Sequence, residues 1–198
     1  MDIINKIKQI LFNPEKFFQN LKEKTIQDAL LYFIVLSAFS TIMGYIITVS
    51  FGRAYIGSIM NLLNLNVPLP EFNALSLIPQ VILAYILGVL VNFVIAAILY
   101  VWLLIFGGNK GYNKSYQLYI YSYTPSTLLN WIPFLSFFTW IYSFVLLVIG
   151  TKKIYNFSTA RAILIYLIPL ILLFIFFLFI FAIVLTSIDG SSIMPFNY

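Results

Sequence analysis

The chain has no cysteine and no histidine, and it has few charged residues. Without these two residue types, disulfides, thiol nucleophiles, haem attachment and the usual zinc sites are excluded. Charged residues make up 9% of the 198 residues, whereas a soluble globular domain is typically about 25% charged. Because 62% of the residues are hydrophobic and the mean hydropathy is +1.00, the composition predicts a membrane protein with one, mostly lipid-embedded domain.

Negative charge is also scarce, which leaves a formal net charge of +5. In a soluble protein this balance would suggest nucleic acid, but here the lysines flank apolar segments and indicate membrane orientation. We therefore expect no nucleic-acid partner. The expected partner is the lipid bilayer, with other membrane proteins or a second copy of the chain as open alternatives.

Residues 1–28 form a predicted cytoplasmic, amphipathic helical arm. Isoleucines recur at helical spacing through residues 3–11, and Phe17 and Phe18 form a second apolar face after a break at Asn13–Pro14. Asn caps helices and Pro fits the first turn, so a second helix is expected to begin there. Lysines surround both faces, and two interpretations are equally supported. The arm lies on an anionic membrane surface, or it packs against the protein's own membrane domain.

Long apolar runs predict an all-α membrane protein with five transmembrane helices. A helix rises about 1.5 Å per residue and the hydrocarbon core is about 30 Å thick, so a span needs roughly 20 residues. Pro169 lies early in the last run, where the apolar residues after it outweigh its cost and predict a kinked but unbroken span. Residues 188–198 are expected to form a short external tail. The predicted spans are residues 29–51, 78–106, 116–130, 134–150 and 162–187.

The second predicted span carries small residues on one side. Ala84, Gly88, Asn92 and Ala96 follow one another at intervals of four, which is typical of a helix-packing face in membranes. Asn92 is an amide deep inside this span. An interhelical hydrogen bond is the favoured interpretation of Asn92, and a contact with a ligand is the alternative.

The stretch from Tyr116 to Gly150 decides the topology. It holds no charged residue, and as one straight helix it would be about 52 Å long, too long for one pass. Two short passes joined near Asn130–Pro133 place ten of the eleven Lys and Arg residues on one face and leave Arg53 alone on the other. The positive-inside rule therefore predicts two passes, a cytoplasmic N-terminus and an external C-terminus. The expected location is the plasma membrane. Charge does not separate a full crossing from a re-entrant hairpin.

Two prolines break this stretch, and polar side chains gather around the first break. Pro125 cannot donate to the carbonyl of Tyr121, and an unpaired carbonyl in lipid costs several kcal/mol. The nearby hydroxyls either satisfy such groups or line a polar pocket. The candidate cluster is Tyr121, Ser122, Tyr123, Thr124, Pro125 and Pro133.

Several short motifs in and around this stretch resemble the Yip1-domain membrane proteins. They are NPEKFF at Asn13–Phe18, a Y-S-x-x-P-like sequence at residues 121–125, the turn at residues 131–133 and the early proline of the last span. For prokaryotic members the resemblance implies an N-terminal arm, five spans, a cytoplasmic N-terminus and an external C-terminus. Eukaryotic members carry an acidic D-L-Y-G-P element and are tied to Rab GTPases; that element is absent here, where the chain reads TIQDALLYF.

Three function classes can be compared. A non-enzymatic membrane scaffold, adaptor or membrane-organising protein fits the resemblance and the basic arm. A transporter or channel for a small neutral solute is the alternative; the predicted spans hold no Asp, Glu, Lys or Arg, which argues against proton coupling. An intramembrane enzyme would lack His, Cys and an embedded carboxylate pair. No catalytic residue, cofactor or metal site is therefore predicted.

Overall fold

A computed structural model describes residues 2–65, 67–68 and 73–191, with side chains to residue 184. The described residues contain α-helices and no strands, so the all-α prediction is confirmed. The helices are α1 Ile3–Phe12, α2 Pro14–Gln19, α3 Gln27–Leu62, α4 Ala74–Ile105, α5 Tyr112–Ser122, α6 Thr124–Leu129, α7 Ser136–Tyr155 and α8 Thr159–Ser191.

Four of these helices are long and apolar enough to cross a membrane: α3, α4, α7 and the part of α8 from Thr159 to Val184. The prediction of five transmembrane helices is therefore wrong, and the error lies at residues 116–130. Those residues fall into α5 and α6, of 11 and 6 residues, and neither helix alone can cross about 30 Å. The helix breaks at Tyr123 because Pro125, which has no amide hydrogen, occupies the first turn of α6.

The two longest helices of the first 105 residues extend beyond the predicted spans. α3 has 36 residues, about 54 Å of helix, and continues 11 residues past the predicted end at Phe51. α4 starts after Asn73, whose side chain accepts a hydrogen bond from the amide of Leu75 at 3.0 Å. Pro79 lies inside α4 without ending it. Both helices expose large apolar side chains along most of their length, which is the expected surface of a helix in lipid.

Residues 130–135 form the turn before α7, and an asparagine ends that helix. Asn156 adopts a left-handed conformation with φ of 56°, which is a common way to terminate a helix. Lys152 and Lys153 lie in the last turn of α7, where positive charge complements the helix dipole.

The chain divides into two compact units, residues 1–157 and residues 158–198. In the first unit, α5 packs against α3, α4 and α7, and α1 and α2 cover α6 and α7. The second unit is α8, which begins where the amide of Arg161 donates to Ser158 Oγ at 3.3 Å and continues through Pro169. Of the predicted tail, residues 188–191 belong to α8 and the remainder lies outside the described residues.

Candidate functional site

Residues 112–155 form an antiparallel hairpin, in which α5 and α6 make one limb and α7 makes the other. Near its open end the hydroxyls of Ser115 and Tyr155 lie 2.8 Å apart. Nearer the turn the hydroxyls of Ser126 and Ser143 lie 2.9 Å apart. The pairing continues across the break between α5 and α6, so the two limbs stay together along their length.

A glycine allows the limbs of the hairpin and the N-terminal arm to approach one another closely. A β-carbon built at Gly150 would clash with Leu118 Cδ1 of α5 and would lie 3.1 Å from the ring of Phe18 in α2. All three residues are buried. Any side chain at this position would therefore push α5 or α2 away from α7.

The α5 helix is polar and yet mostly buried. Seven of its 11 residues are buried, and they include Ser115, Gln117 and Ser122. A helix of this composition cannot face lipid without leaving hydrogen-bonding groups unpaired, whereas neighbouring protein groups can pair with them. The helix is therefore stable inside the bundle and not on its surface.

A paired lysine and glutamate join the arm to α5. Lys6 Nζ donates to Glu23 Oε1 at 2.8 Å and to the hydroxyl of Tyr121 at 3.1 Å, and that hydroxyl donates to Glu23 Oε2 at 2.6 Å. The side chains of Lys6 and Glu23 are only 9% and 18% exposed. Each charge has both an opposite charge and a neutral hydrogen-bond partner, as burial of charge requires.

Aromatic rings pack against one side of this ion pair. Phe17 of the arm contacts Tyr121 edge to face at 5.1 Å, and Tyr32 of α3 contacts the same ring at 5.3 Å. The Lys6 ammonium lies 5.8 Å from the centre of the Tyr32 ring, within cation–π range. The Tyr32 hydroxyl bonds Thr124 Oγ1 at 3.0 Å. The arm, α3, α5 and α6 therefore meet at one buried point.

Side chains of α5 also hold the connector, residues 20–26, which lies between α2 and α3. The connector has no regular structure, so its carbonyl groups need partners from elsewhere. Side chains from the first two turns of α5 supply them. The bonds are Asn113 Nδ2 to Lys24 O at 3.1 Å, Lys114 Nζ to Leu21 O at 3.0 Å and to Glu23 O at 2.7 Å, and Gln117 Nε2 to Thr25 O at 2.6 Å.

Lys114 is held mainly by neutral carbonyl oxygens. Its ammonium also donates to Gln117 Oε1 at 3.0 Å. Burial lowers the pKa of Lys114, and the charge of Glu23 opposes that shift. Lys114 thus acts here as a structural donor that fixes the connector.

Two further contacts hold the arm on α7. Lys153 Nζ lies 2.8 Å from Glu15 Oε2, and the hydroxyl of Tyr142 donates to the carbonyl of Leu11. The hydrogen bond and charge of Lys153 hold the pKa of Glu15 below its usual range. These contacts favour the second interpretation of the arm, in which the arm packs against the protein's own membrane domain.

The structure divides the predicted polar cluster into two groups. Tyr121 bonds Lys6 of the arm and Thr124 bonds Tyr32 of α3. Ser122 and Tyr123 instead line a cavity of about 170 Å³ between the limbs of the hairpin. The Ser122 hydroxyl is buried without a hydrogen-bond partner among the described residues. Pro125 is buried in α6, and Pro133 is exposed in the turn. The cavity is lined by Tyr119, Ser122, Tyr123, Trp140, Ser143, Phe144 and Leu147.

The predicted small-residue stripe on α4 also divides into two parts. Asn92 and Ala96 are buried, and Asn92 Nδ2 donates to the carbonyl of Gly88 at 2.6 Å, within its own helix. Ala84 and Gly88 are exposed and line a groove of about 360 Å³ between α3 and α4. A β-carbon added at Gly88 would meet no atom within 4 Å.

Lys6, Glu23 and Tyr32 carry the buried ion-pair network but are missing from the predicted cluster. One signal was present in the sequence: Lys6 lies four residues before the buried Ile10, on the same side of α1. A lysine on the buried side of a helix indicates a partner inside the protein. Among the described residues, no group of three His, Cys, Asp or Glu side chains could hold a metal ion.

Comparison with known proteins identifies a family for the chain. The sequence model of the Yip1 domain family matches residues 8–181, a segment that runs from α1 into α8 and covers most of the chain. No curated protein and no solved structure matches the chain.

Proposed function

The chain belongs to the Yip1 domain family, and we propose that it is a non-enzymatic membrane scaffold or adaptor that organises the bilayer or other membrane proteins. The family match and the four apolar helices make it a multipass integral membrane protein in contact with lipid. Yip1 domain proteins are not a known enzyme family. The scaffold role, the identity of the partners and the choice of the plasma membrane are proposals.

The pairing of the interior polar groups supports this role most directly. The ion pair of Lys6 and Glu23 and the hydroxyl of Tyr121 hold the arm in place. Lys114 and Gln117 of α5 hold the connector. Groups committed to one another in this way are not available to activate a substrate or to replace the water around an ion. In residues 1–157 these bonds fasten the N-terminal arm to the helices it covers.

Chemical cross-linking in native membranes, followed by affinity purification, tests the scaffold role. We expect a protein partner or a second copy of the chain in a fixed molar ratio. Recovery of the chain without any stoichiometric partner, from membranes in which a known complex is captured, would contradict the proposal.

Conduction of a small neutral solute is the second candidate, and the cavity beside Ser122 favours it. This cavity combines an unpaired hydroxyl with aromatic walls, as a site for a neutral, partly apolar molecule would. Solute flux into proteoliposomes that is lost in Ser122→Ala and Tyr123→Phe, but kept in Ser58→Ala on the exposed surface of α3, would replace the scaffold role with a transport role.

For topology, we propose that the arm and both ends of the hairpin lie on the cytoplasmic side of the plasma membrane and that the turn and C-terminus lie outside. In this arrangement α5 and α6 cross together, as one broken limb beside α7, in addition to the four long helices. Lys153 at the end of α7 pairs with Glu15, and Lys114 at the start of α5 bonds the connector. These bonds support a shared side for the arm and the open end of the hairpin. The lysine distribution makes that side the cytoplasmic one.

Single-cysteine labelling tests the topology directly, because the chain has no cysteine of its own. Asn109 and Asn130 are both exposed. With an impermeant thiol reagent on intact cells, Asn130→Cys should react at once and Asn109→Cys only after the membrane is opened. Reaction of Asn109→Cys in intact cells would overturn the proposed orientation.

A further inference from the structure

A cavity of about 500 Å³ opens between the connector and the first turn of α5. Four lysines line it, and the one acidic residue among the lining residues is Glu23, whose carboxylate is already bonded to Lys6 and Tyr121. The cavity is therefore strongly positive. Its lining, called here the lysine cavity, is Leu21, Lys22, Glu23, Lys24, Lys110, Gly111, Tyr112, Asn113 and Lys114.

The four lysines differ in what already holds them. Lys114 is committed to the carbonyl groups of the connector. Lys22, Lys24 and Lys110 are exposed, and ion pairs among the described residues occur at Lys6 and Lys153 but not at these three. Three uncompensated positive charges therefore surround a cavity whose walls are fixed by hydrogen bonds. Such an arrangement attracts an anion with several oxygen atoms.

The position of the lysine cavity along the helices indicates the source of that anion. The connector leads directly into α3, and Lys110 follows the end of α4 by five residues. Tyr100 and Trp102 lie in the last turns of α4, and the Tyr100 ring contacts Tyr112 of the cavity at 6.3 Å. Tyr and Trp concentrate where apolar helices leave the hydrocarbon core, at the level of the lipid headgroups.

We propose that the lysine cavity binds the phosphate of an anionic phospholipid headgroup in the leaflet next to the arm. Lys22, Lys24 and Lys110 would surround the phosphate, while Lys114 and Asn113 keep the connector in the conformation that brings these lysines together. Basic sites between membrane helices are a known means of recognising anionic lipids. This inference does not depend on the proposed scaffold function, because a headgroup site suits a transporter equally well.

Native mass spectrometry of the full-length protein in detergent tests the site, with phosphatidylglycerol as the probe and phosphatidylcholine as the zwitterionic comparison. We expect one tightly bound phosphatidylglycerol and no comparable phosphatidylcholine. The double variant Lys22→Gln/Lys110→Gln should weaken phosphatidylglycerol binding about 30-fold. Each lysine near an anionic lipid surface contributes roughly a five- to sixfold gain in affinity, and this variant removes two of them.

The matched control is Lys8→Gln/Lys152→Gln, which removes the same charge outside the cavity and should keep wild-type affinity. Equal weakening in both double variants would overturn the proposal, because it would show general attraction of lipid to a positive protein. Competition by millimolar inorganic phosphate alone would also overturn it, by making free phosphate and not a lipid the ligand. Unchanged unfolding temperatures in lipid-free detergent show that the variants remain folded.

Discussion

The helices α4 and α5 follow each other in the chain and pack together, yet they are stabilised in opposite ways. α4 has 32 residues, of which only Asn92, Ala96 and Leu103 are buried, and most of its exposed side chains are apolar. α5 has 11 residues, of which seven are buried, and it contains four Tyr, two Ser and one Gln. Lipid solvates the first helix, whereas protein solvates the second.

This difference shows which part of the protein depends on specific contacts. An apolar helix gains little from a particular neighbour, because lipid tails are as apolar as its side chains. A polar helix at membrane depth depends on protein partners for its donors and acceptors. For Tyr121, Gln117 and Ser115 of α5 these partners lie in the arm, the connector and α7. We therefore expect substitutions around α5 to affect stability far more than similar substitutions on α4.

Removing the lysine of the buried ion pair should have the largest effect. In Lys6→Met the carboxylate of Glu23 loses its cation in a mostly buried site, and the loss should be about 3 kcal/mol in the free energy of unfolding. Denaturant unfolding in detergent measures it. The double variant Lys6→Met/Glu23→Gln should recover most of the loss.

The control for this prediction is Lys8→Met, which removes an exposed lysine from the same helix and should change little. If Lys6→Met and Lys8→Met were equally stable, the ion pair would contribute nothing to stability. The claim that α5 depends on specific contacts more than α4 does would then be contradicted.

A pair of glycine substitutions sharpens the comparison, with a smaller effect. Gly150→Ala should destabilise the protein by about 2 kcal/mol, because the new methyl group overlaps Leu118 where α5 meets α7. Gly88→Ala on α4 meets no atom and should be neutral or stabilising by up to about 1 kcal/mol, since Ala favours the helix. Thermal unfolding of both variants in one detergent checks the sign. The same sign in both would contradict the argument.

The smallest effect concerns the pair of the exposed Glu15 and the half-buried Lys153. Lys153 lowers the pKa of Glu15 in the folded protein, so this contact stabilises the docked arm above the unfolded-state pKa and is lost as the pH falls through the lower, folded-state value. Hydrogen exchange of α2 should therefore increase slightly more on acidification in the wild type than in Glu15→Gln. Identical pH profiles would show that the pair does not contribute.

Apolar length was enough to predict the helices that lipid surrounds. The regions of α3, α4 and α8 stand out because a run of about 20 apolar residues has few alternatives to a membrane helix. The prolines also indicated the break at Tyr123 and the turn near Asn130. These features depend on local sequence alone.

The buried site could be predicted only in part. Tyr121 and Thr124 were chosen for their place beside a proline, but their partners Lys6, Glu23 and Tyr32 lie 92 to 115 residues away along the chain. A helical pattern shows that a face is apolar and does not show what covers it. The same limit explains the wrong prediction of a transmembrane helix at residues 116–130. Two short helices that are buried by other parts of the protein have the same uncharged sequence as a short transmembrane helix.

The long sequence separation within the ion-pair network has a consequence for synthesis of the protein. Glu23 and Tyr121 are 98 residues apart, so the arm leaves the ribosome well before the helix that accepts it. At translation rates of roughly 5–20 residues per second, about 5–20 s pass between the synthesis of Glu23 and the synthesis of Tyr121. During that interval Phe17 and Phe18, which are buried in the folded protein, lack the α5 and α7 surfaces that cover them.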